Sequence, residues 1–346
     1  MKKRFTPATI MTFFVIGLGL VGLNLIHADE SVIPRTPDGK PDLQGVWANN
    51  SATPLERPEA LGDKESLSDE EVASLQQTAD TLFNGETDAA FGDEIFNAAL
   101  AAEDDHESYD PDTGNYNHFW VEKRDFDNRT SLVVDPANGR LPEATEEGKA
   151  RVMARAKHVR EHPADSYTDR SNSDRCISYG VPFLQAGYNG YFQIVQNPDH
   201  VVILQEMIHE ARIVPLDGRP HLDGISQYTG DTRGRWEGDT LVLETKNFSP
   251  KIHFRAGRGE GAGISHENLN LTERYSLIDS DTLQWALTIS DPTTWSADWT
   301  AVVRMKRSAE PIFEYACHEG NYSMEGILAG HREQEAAAAA GGGAGE

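Results

Sequence analysis

Cysteine and positive charge are both scarce in this chain. Its 346 residues include two cysteines, so iron–sulfur proteins, zinc ribbons and small disulfide scaffolds, which need clustered thiols, are excluded. The 31 Lys and Arg residues face 56 Asp and Glu residues, which gives a formal net charge of −25. Because such a chain repels phosphate, we expect no nucleic-acid partner and no binding to anionic membrane surfaces.

Several motifs of nucleotide and hydrolase chemistry are also missing. The sequence contains no P-loop, no G-x-G-x-x-G that links a strand to a helix, and no G-x-S-x-G nucleophile elbow. No spacing of histidines and acidic residues resembles a metal motif. We therefore predict no cofactor and no metal.

The first 28 residues are predicted to be a signal peptide. Basic residues at positions 2–4 precede an apolar stretch over 8–26, and Ala28 offers a small residue at the cleavage point. The alternative is an uncleaved membrane anchor, since the stretch approaches the length that spans a bilayer. Cleavage predicts a periplasmic or secreted protein that leaves the membrane.

An exported chain enters an oxidising compartment, and such compartments favour disulfide bonds between cysteines. We expect Cys176 and Cys317 to pair. Two separate buried thiols, or a nucleophilic Cys317 beside His318, are the alternatives.

The remaining chain divides by composition. Residues 29–60 are predicted to be an extended proline-rich arm, docked by Leu43, Val46 and Trp47, since closely spaced prolines resist helix and inner strand. Residues 61–170 are predicted to be a helical section packed on the sheet. Residues 331–346, rich in alanine and glycine, are predicted to be a disordered tail.

Residues 171–330 are predicted to be an antiparallel β-domain. Short segments rich in β-branched and aromatic residues alternate with turns, and short turns force antiparallel neighbours. The fold class is therefore mainly β with a helical N-terminal section, its meander closing into a barrel or a strongly curved sheet. The candidate strands are Tyr191–Gln196, His200–Met207, Ala211–Leu216, Thr240–Phe248, Leu271–Ile278, Leu283–Ser290, Thr300–Arg307 and Phe313–Cys317.

Each strand has an apolar and a polar row. Either the apolar rows fill the interior and the polar rows face solvent, or the apolar rows face outward and the polar rows line a cavity. An enzymatic role in the interior requires the second arrangement.

The densest polar cluster lies at positions 209–221. His209 is a candidate proton-transfer group, Arg212 a candidate holder of an anion or carbonyl, and Glu210 and His221 candidate ligand-binding residues. The alternative is a strand that enters a turn, with an ion pair between Glu210 and Arg212.

A second group of candidates lies at the end of the last predicted strand and on aromatic positions. His318 would share the proton transfer with His209, and Glu319 would orient it. Tyr191 and Trp236 are candidate walls for a sugar or planar organic ligand.

Six segments spread over nearly the whole chain after the predicted signal peptide form one pattern: Pro34–Leu43, Thr53–Pro58, Arg175–Ile177, His209–His221, Gly234–Val242 and Glu314–Tyr322. Together they resemble a family of exported proteins of environmental bacteria that carry no assigned activity. The resemblance implies a bacterial extracytoplasmic protein and transfers no reaction. The turn at positions 236–241 also resembles turns of lipocalin-like barrels, which bears on the fold alone.

Three functions remain open at this point. The first is a metal-independent enzyme, a lyase or hydrolase, that acts on a carbohydrate or another polar small molecule. The second is a lipocalin-like binding protein without catalysis. The third is a surface interaction protein whose acidic helices are the working face. Convergence of His209, Arg212 and His318 around a cavity would favour the first, and a filled interior the third.

Overall fold

A computed structural model describes residues 33–84, 87–103, 117–185, 187–251 and 267–341, and the predicted signal peptide lies outside this range. Within it, no helix is long and apolar enough to cross a membrane. The strands are β1 Gly45–Ala48, β2 Val133–Asp135, β3 Tyr191–Gln196, β4 His200–Gln205, β5 Glu210–Pro215, β6 Asp231–Glu237, β7 Thr240–Lys246, β8 Asn270–Leu277, β9 Thr282–Ser290 and β10 Trp299–Ser308. The α-helices are α1 Asp69–Leu82, α2 Glu94–Ala101, α3 Glu146–Glu161 and α4 Ser323–Gly341, and short 3₁₀ helices span Glu59–Leu61, His118–Trp120, Tyr167–Asp169 and Met207–His209.

Ten strands form one antiparallel sheet in the order β5-β4-β3-β1-β10-β9-β8-β7-β6, with β2 also paired to β10. The mainly β fold is therefore confirmed. The sheet does not close into a barrel, because the edge strands β5 and β6 share no backbone pairing. The two edges meet through side chains instead: a Cβ built on Gly234 of β6 would lie 2.9 Å from the Val214 Cγ1 of β5. A strongly curved, open sheet is the observed form.

The interior of the curved sheet is filled. The apolar row of β9, which includes Trp285 and Leu287, is at most 1% exposed, whereas its polar row is half-buried. Trp299 and Tyr275 from the neighbouring strands complete a single core. The first of the two predicted arrangements, apolar rows inside and polar rows outside, is the one observed.

The proline-rich segment contributes more than an arm. Leu43, Val46 and Trp47 are buried as expected, but β1 pairs with both β3 and β10 in the middle of the sheet. The expectation that this segment contains no inner strand was wrong. It holds an inner strand because its prolines lie outside positions 45–48 and leave the backbone there free to bond on both sides.

The helices pack away from this core or cap its ends. Ser68 and Glu71 form a capping box at the start of α1, and α1 and α2 bury Phe83 and Phe96 in a second, smaller core. Helix α4 continues to Gly341, so the alanines from position 336 to 340 are helical where disorder was predicted. Alanine has the highest helix propensity, which accounts for the extension.

The last predicted strand, Phe313–Cys317, does not form. The backbone N–H of Phe313 donates to the Glu206 side chain, and Cys317 is joined to Cys176 by a disulfide. Both sides of β10 are already paired, to β1 and β9, so the segment finds no free partner beside it in the sheet. It crosses the end of the sheet instead.

Candidate ligand-binding cleft

A polar cleft of about 540 Å³ opens beside the Cys176–Cys317 disulfide. Its walls come from four separate parts of the chain, and most of its lining side chains carry hydrogen-bonding groups. The lining residues are Ser173, Asp174, Cys176, Asn189, Glu314, Tyr315, Ala316, Cys317, Asn321 and Ser323.

The disulfide holds two of these walls together. It joins residues 141 positions apart, with a Cα–Cα distance of 5.6 Å. The predicted pairing of Cys176 and Cys317 is confirmed, and neither sulfur is available as a nucleophile. The 313–322 segment, which has no strand partner, is therefore fixed against the 173–176 segment.

Backbone strain concentrates around the cleft. Of the six non-glycine residues with positive φ in the described parts of the chain, four lie here: Cys176, Asn189, Ile208 and His209. A β-branched residue such as Ile208 avoids this conformation, and each instance costs about 1–3 kcal/mol. Strain of this kind persists where the surrounding contacts fix it, which is common at functional sites.

Behind the Asn189 wall lies a buried carboxylate. Glu206, 1% exposed, follows β4 directly, and its Oε1 accepts hydrogen bonds from Asn189 Nδ2 at 2.7 Å and from the Phe313 backbone N–H at 3.3 Å. Within the described parts of the chain, its buried Oε2 has no hydrogen-bond partner. A buried carboxylate oxygen without a donor is costly, and this atom has the capacity to accept a further hydrogen bond.

A second carboxylate lies beside the same wall. Glu122 accepts from the backbone N–H groups of Asn189 and Gly190, while its buried Oε2 has no partner in the described ranges. Burial raises the pKa of Glu122. Burial also raises the pKa of Tyr191, and the negative charge of Glu122 adds to this effect.

Arg124 is a buried cation close enough to Glu122 to interact with its charge, yet its terminal nitrogens make no hydrogen bond to the Glu122 carboxylate. It is 5% exposed, and both terminal guanidinium nitrogens lack a hydrogen-bond partner among the residues that the structure describes. Burial lowers its pKa to about 10, an effect that Glu122 and Asp125 oppose. This region therefore holds buried polar groups of both signs that no described residue pairs.

The predicted proton-transfer residues reach only the edge of the cleft. His209 is exposed, and its Nδ1 lies 2.7 Å from the carbonyl oxygen of Tyr315, a cleft residue. His318 and Glu319 are exposed on the turn that follows Cys317.

Arg212 lies elsewhere. Its guanidinium makes two hydrogen bonds to Glu273, at 2.5 and 2.9 Å, inside the core. Although burial acts to lower the pKa of Arg212, the Glu273 carboxylate raises it above its usual value. The structure thus does not bring Arg212 together with His209 and His318 around one cavity.

The other predicted site residues also have partners of their own. Glu210 accepts from the Ser178 hydroxyl at 2.6 Å rather than bonding Arg212, and burial raises the pKa of Glu210. His221 Nδ1 lies 3.1 Å from Asp231 Oδ2. Trp236 on β6 packs under the Lys40 ammonium, 5.7 Å from its ring centroid. None of these residues, nor Tyr191, is part of the described lining of the cleft.

Sequence reasoning missed two acidic residues, Glu206 and Glu273. Glu273 occupies the apolar row of β8 between Leu271 and Tyr275, and an acid in such a row is a signal for a buried ion pair. Glu206 follows the apolar run of β4 and resembles an ordinary strand end. No sequence pattern singles it out.

Comparison with known proteins adds no assignment. The sequence matches no known protein family and no curated protein.

Proposed function

We propose that the protein binds a small polar molecule of the carbohydrate class in the cleft beside the disulfide. The observation that carries the proposal is the buried Oε2 of Glu206, which lacks a donor directly behind the cleft wall. A sugar hydroxyl is a neutral group that can donate a hydrogen bond to such an oxygen.

The lining of the cleft supports this ligand class. The amides of Asn189 and Asn321 both donate and accept, the carboxylate of Glu314 accepts, and the half-buried ring of Tyr315 offers an apolar wall. Sugars are bound through this combination of planar polar groups and an aromatic surface. The filled interior meets the condition stated above for a surface interaction protein, and it leaves the cleft at the surface, rather than a central cavity, as the place for a small ligand.

Isothermal titration calorimetry with a panel of neutral mono- and disaccharides tests the proposal. One class of sugar is expected to bind the wild-type chain, and Glu206→Gln is expected to weaken it about tenfold or more, since hydrogen bonds to charged groups contribute about 1.5–3 kcal/mol. The exposed Glu59→Gln serves as the matched control and is expected to bind normally.

The variant Asn321→Ala tests the same cleft at a half-buried lining residue, where a substitution is less disruptive to folding than at the buried Glu206. It is also expected to weaken sugar binding. Equal sugar affinity in wild type, Glu206→Gln and Asn321→Ala would contradict the proposal. Binding of the polyamine spermidine but of no sugar would also contradict it, and would identify a cation site instead.

Acid–base catalysis on the bound molecule is the second candidate, of the lyase or hydrolase type. The contact of His209 with the Tyr315 carbonyl favours it, because this contact brings an imidazole to the cleft edge. If turnover of a bound sugar is found, His209→Ala is expected to abolish it while sugar affinity and melting temperature remain close to wild type. Turnover that survives in His209→Ala would remove His209 from this role.

We also propose that the chain is an exported bacterial protein, periplasmic or secreted, and a member of the family that its sequence segments resemble. The Cys176–Cys317 disulfide supports an oxidising compartment. Cell fractionation of the expressed full chain, with the mature N-terminus read by sequencing, is expected to place it outside the cytoplasm and cleaved after Ala28.

A further inference from the structure

A cluster of carboxylates and histidines lies between α4 and the turn that follows α3, outside the cleft. Asp165, His331 and Glu335 each direct one ligand atom to a common point, and these atoms all lie within 4.8 Å of one another. Within the described ranges, no other group of three His, Cys, Asp or Glu residues meets this criterion.

The two distances from His331 Nε2 to the carboxylate oxygens are longer than direct charge-assisted hydrogen bonds, and they match the ligand separation around a shared ion. His331 Nε2 lies 3.5 Å from Asp165 Oδ1 and 3.3 Å from Glu335 Oε1. Charge-assisted N–H···O bonds are shorter, about 2.7–2.9 Å. Two ligand atoms bound at about 2.0–2.1 Å to one tetrahedral zinc ion lie about 3.3 Å apart.

Both carboxylates are held in place by residues outside the group of three. The second oxygen of Asp165, Oδ2, lies 2.7 Å from His162 Nδ1, which leaves Oδ1 facing His331. Arg332 donates to both oxygens of Glu335, from Nε to Oε2 at 2.7 Å and from Nη2 to Oε1 at 3.1 Å, and the same guanidinium donates to the backbone carbonyls of Ala164 and Asp165. Contacts of this kind orient metal ligands, and a metal ion would share Glu335 Oε1 with Arg332 Nη2.

We propose that Asp165, His331 and Glu335 bind a divalent cation of the zinc type, which ties α4 to the turn after α3. One imidazole nitrogen with two carboxylate oxygens is a donor set that zinc accepts, whereas calcium and magnesium prefer oxygen alone. The exposure of Asp165 and Glu335, whose side chains are 48% and 50% exposed, leaves the fourth position to water.

Helix α4 has reason to need such a tie. Its half-buried residues, Met324, Ile327, Leu328 and His331, form one stripe, and none of its described side chains is fully buried. Arg332, which lies beside this stripe, donates to the backbone carbonyls of Ala164 and Asp165. A bound ion at His331 therefore adds an anchor at the end of a weakly packed stripe. The rival explanation is a protonated His331 that bridges the two carboxylates without metal.

Calorimetric titration of Zn²⁺ into the untagged, EDTA-treated chain decides between them. Wild type is expected to bind one zinc ion, and His331→Ala and Glu335→Gln are each expected to weaken it about tenfold or more. Glu333→Gln, an exposed acid two positions from Glu335 on the same helix, is the matched control and is expected to bind like wild type. Mg²⁺ is expected not to compete.

Hydrogen exchange of α4 supplies a readout that does not depend on affinity alone. Zinc is expected to slow exchange over 323–341 in wild type and in Glu333→Gln, but not in His331→Ala. Absence of zinc binding, or equal affinity in wild type and His331→Ala, would overturn the proposal. Equal circular dichroism spectra of the metal-free variants show that folding is intact.

Discussion

The interior of the curved sheet and the region behind the cleft wall each contain a buried carboxylate, and the two differ in how many of their oxygens accept hydrogen bonds. Glu273, 0% exposed, accepts from Arg212 at both oxygens, from the Tyr275 hydroxyl at 2.8 Å and from Trp285 Nε1 at 3.1 Å. Glu206, 1% exposed, has one oxygen without any donor.

This difference separates the structural role of Glu273 from the binding role that we propose for Glu206. A buried acid whose acceptors are all used stabilises one arrangement of the core and has no capacity left for a ligand. A buried acid with an unused acceptor keeps that capacity and destabilises the free protein until a donor arrives. Arg212, which the sequence placed in the site, is the partner of the fully paired acid Glu273 and has a structural role.

The largest expected effect comes from breaking the interior pair. Glu273→Ala leaves the Arg212 guanidinium buried without a counter-charge, and we expect a loss of about 3–5 kcal/mol in the free energy of unfolding, measured by urea denaturation. The double variant Glu273→Leu with Arg212→Met replaces the pair by apolar groups and is expected to recover part of that loss, since the Tyr275 hydroxyl and Trp285 Nε1 still lose their acceptor. A loss below about 1 kcal/mol in Glu273→Ala would show that the pair contributes little.

A smaller loss is expected from the cleft region. Replacing both Cys176 and Cys317 by Ser is expected to lower the free energy of unfolding by about 2–4 kcal/mol, because the disulfide closes a loop between residues 141 positions apart. Unlike the interior variants, this one is also expected to abolish sugar binding, since it releases the wall at 313–322. Unchanged sugar affinity in this variant would place the ligand elsewhere.

The smallest effect concerns pH and Glu210. Burial raises the pKa of Glu210 in the folded chain, so its stabilising contribution is complete below the unfolded pKa and is lost as pH rises through the folded pKa. Glu210→Gln has no such loss. Its stability relative to wild type is therefore expected to increase as pH rises above about 4.3, the ordinary pKa of a glutamate, measured by urea denaturation over a pH series.

Glu59→Gln is the matched control for this series, because Glu59 is exposed. A difference between Glu210→Gln and wild type that stays constant with pH would contradict the assignment of a raised pKa. Only the difference between the two proteins is informative here, since the many other carboxylates contribute equally to both.

Much of the sheet could be predicted from local pattern. Tyr191–Gln196 was predicted to the residue, and the strands at 271–278 and 300–307 were predicted within one residue at each end. Alternation of apolar and polar residues and short turns suffice for such strands, since both act between near neighbours. β1 was missed because its inner position depends on partners nearly 150 and 260 residues away.

The site was harder to predict for the same reason. His209 and Arg212 are close in sequence, but the strand directs Arg212 into the core toward Glu273, 61 positions away. Glu206 and Asn189 belong to no sequence motif. Their contact with each other, and the hydrogen bond from the Phe313 backbone N–H to Glu206, exist only in the folded chain.

The sequence by itself determined most of the antiparallel strands and the acidic charge, and it made the disulfide the expected state of the two cysteines, because alternation, composition and cysteine number require no knowledge of distant contacts. Only the tertiary structure decided that the sheet stays open, that its interior is filled and that Glu206 rather than Arg212 keeps unused hydrogen-bonding capacity. Whether a buried charge is satisfied depends on donors brought from far along the chain, and local sequence does not encode them.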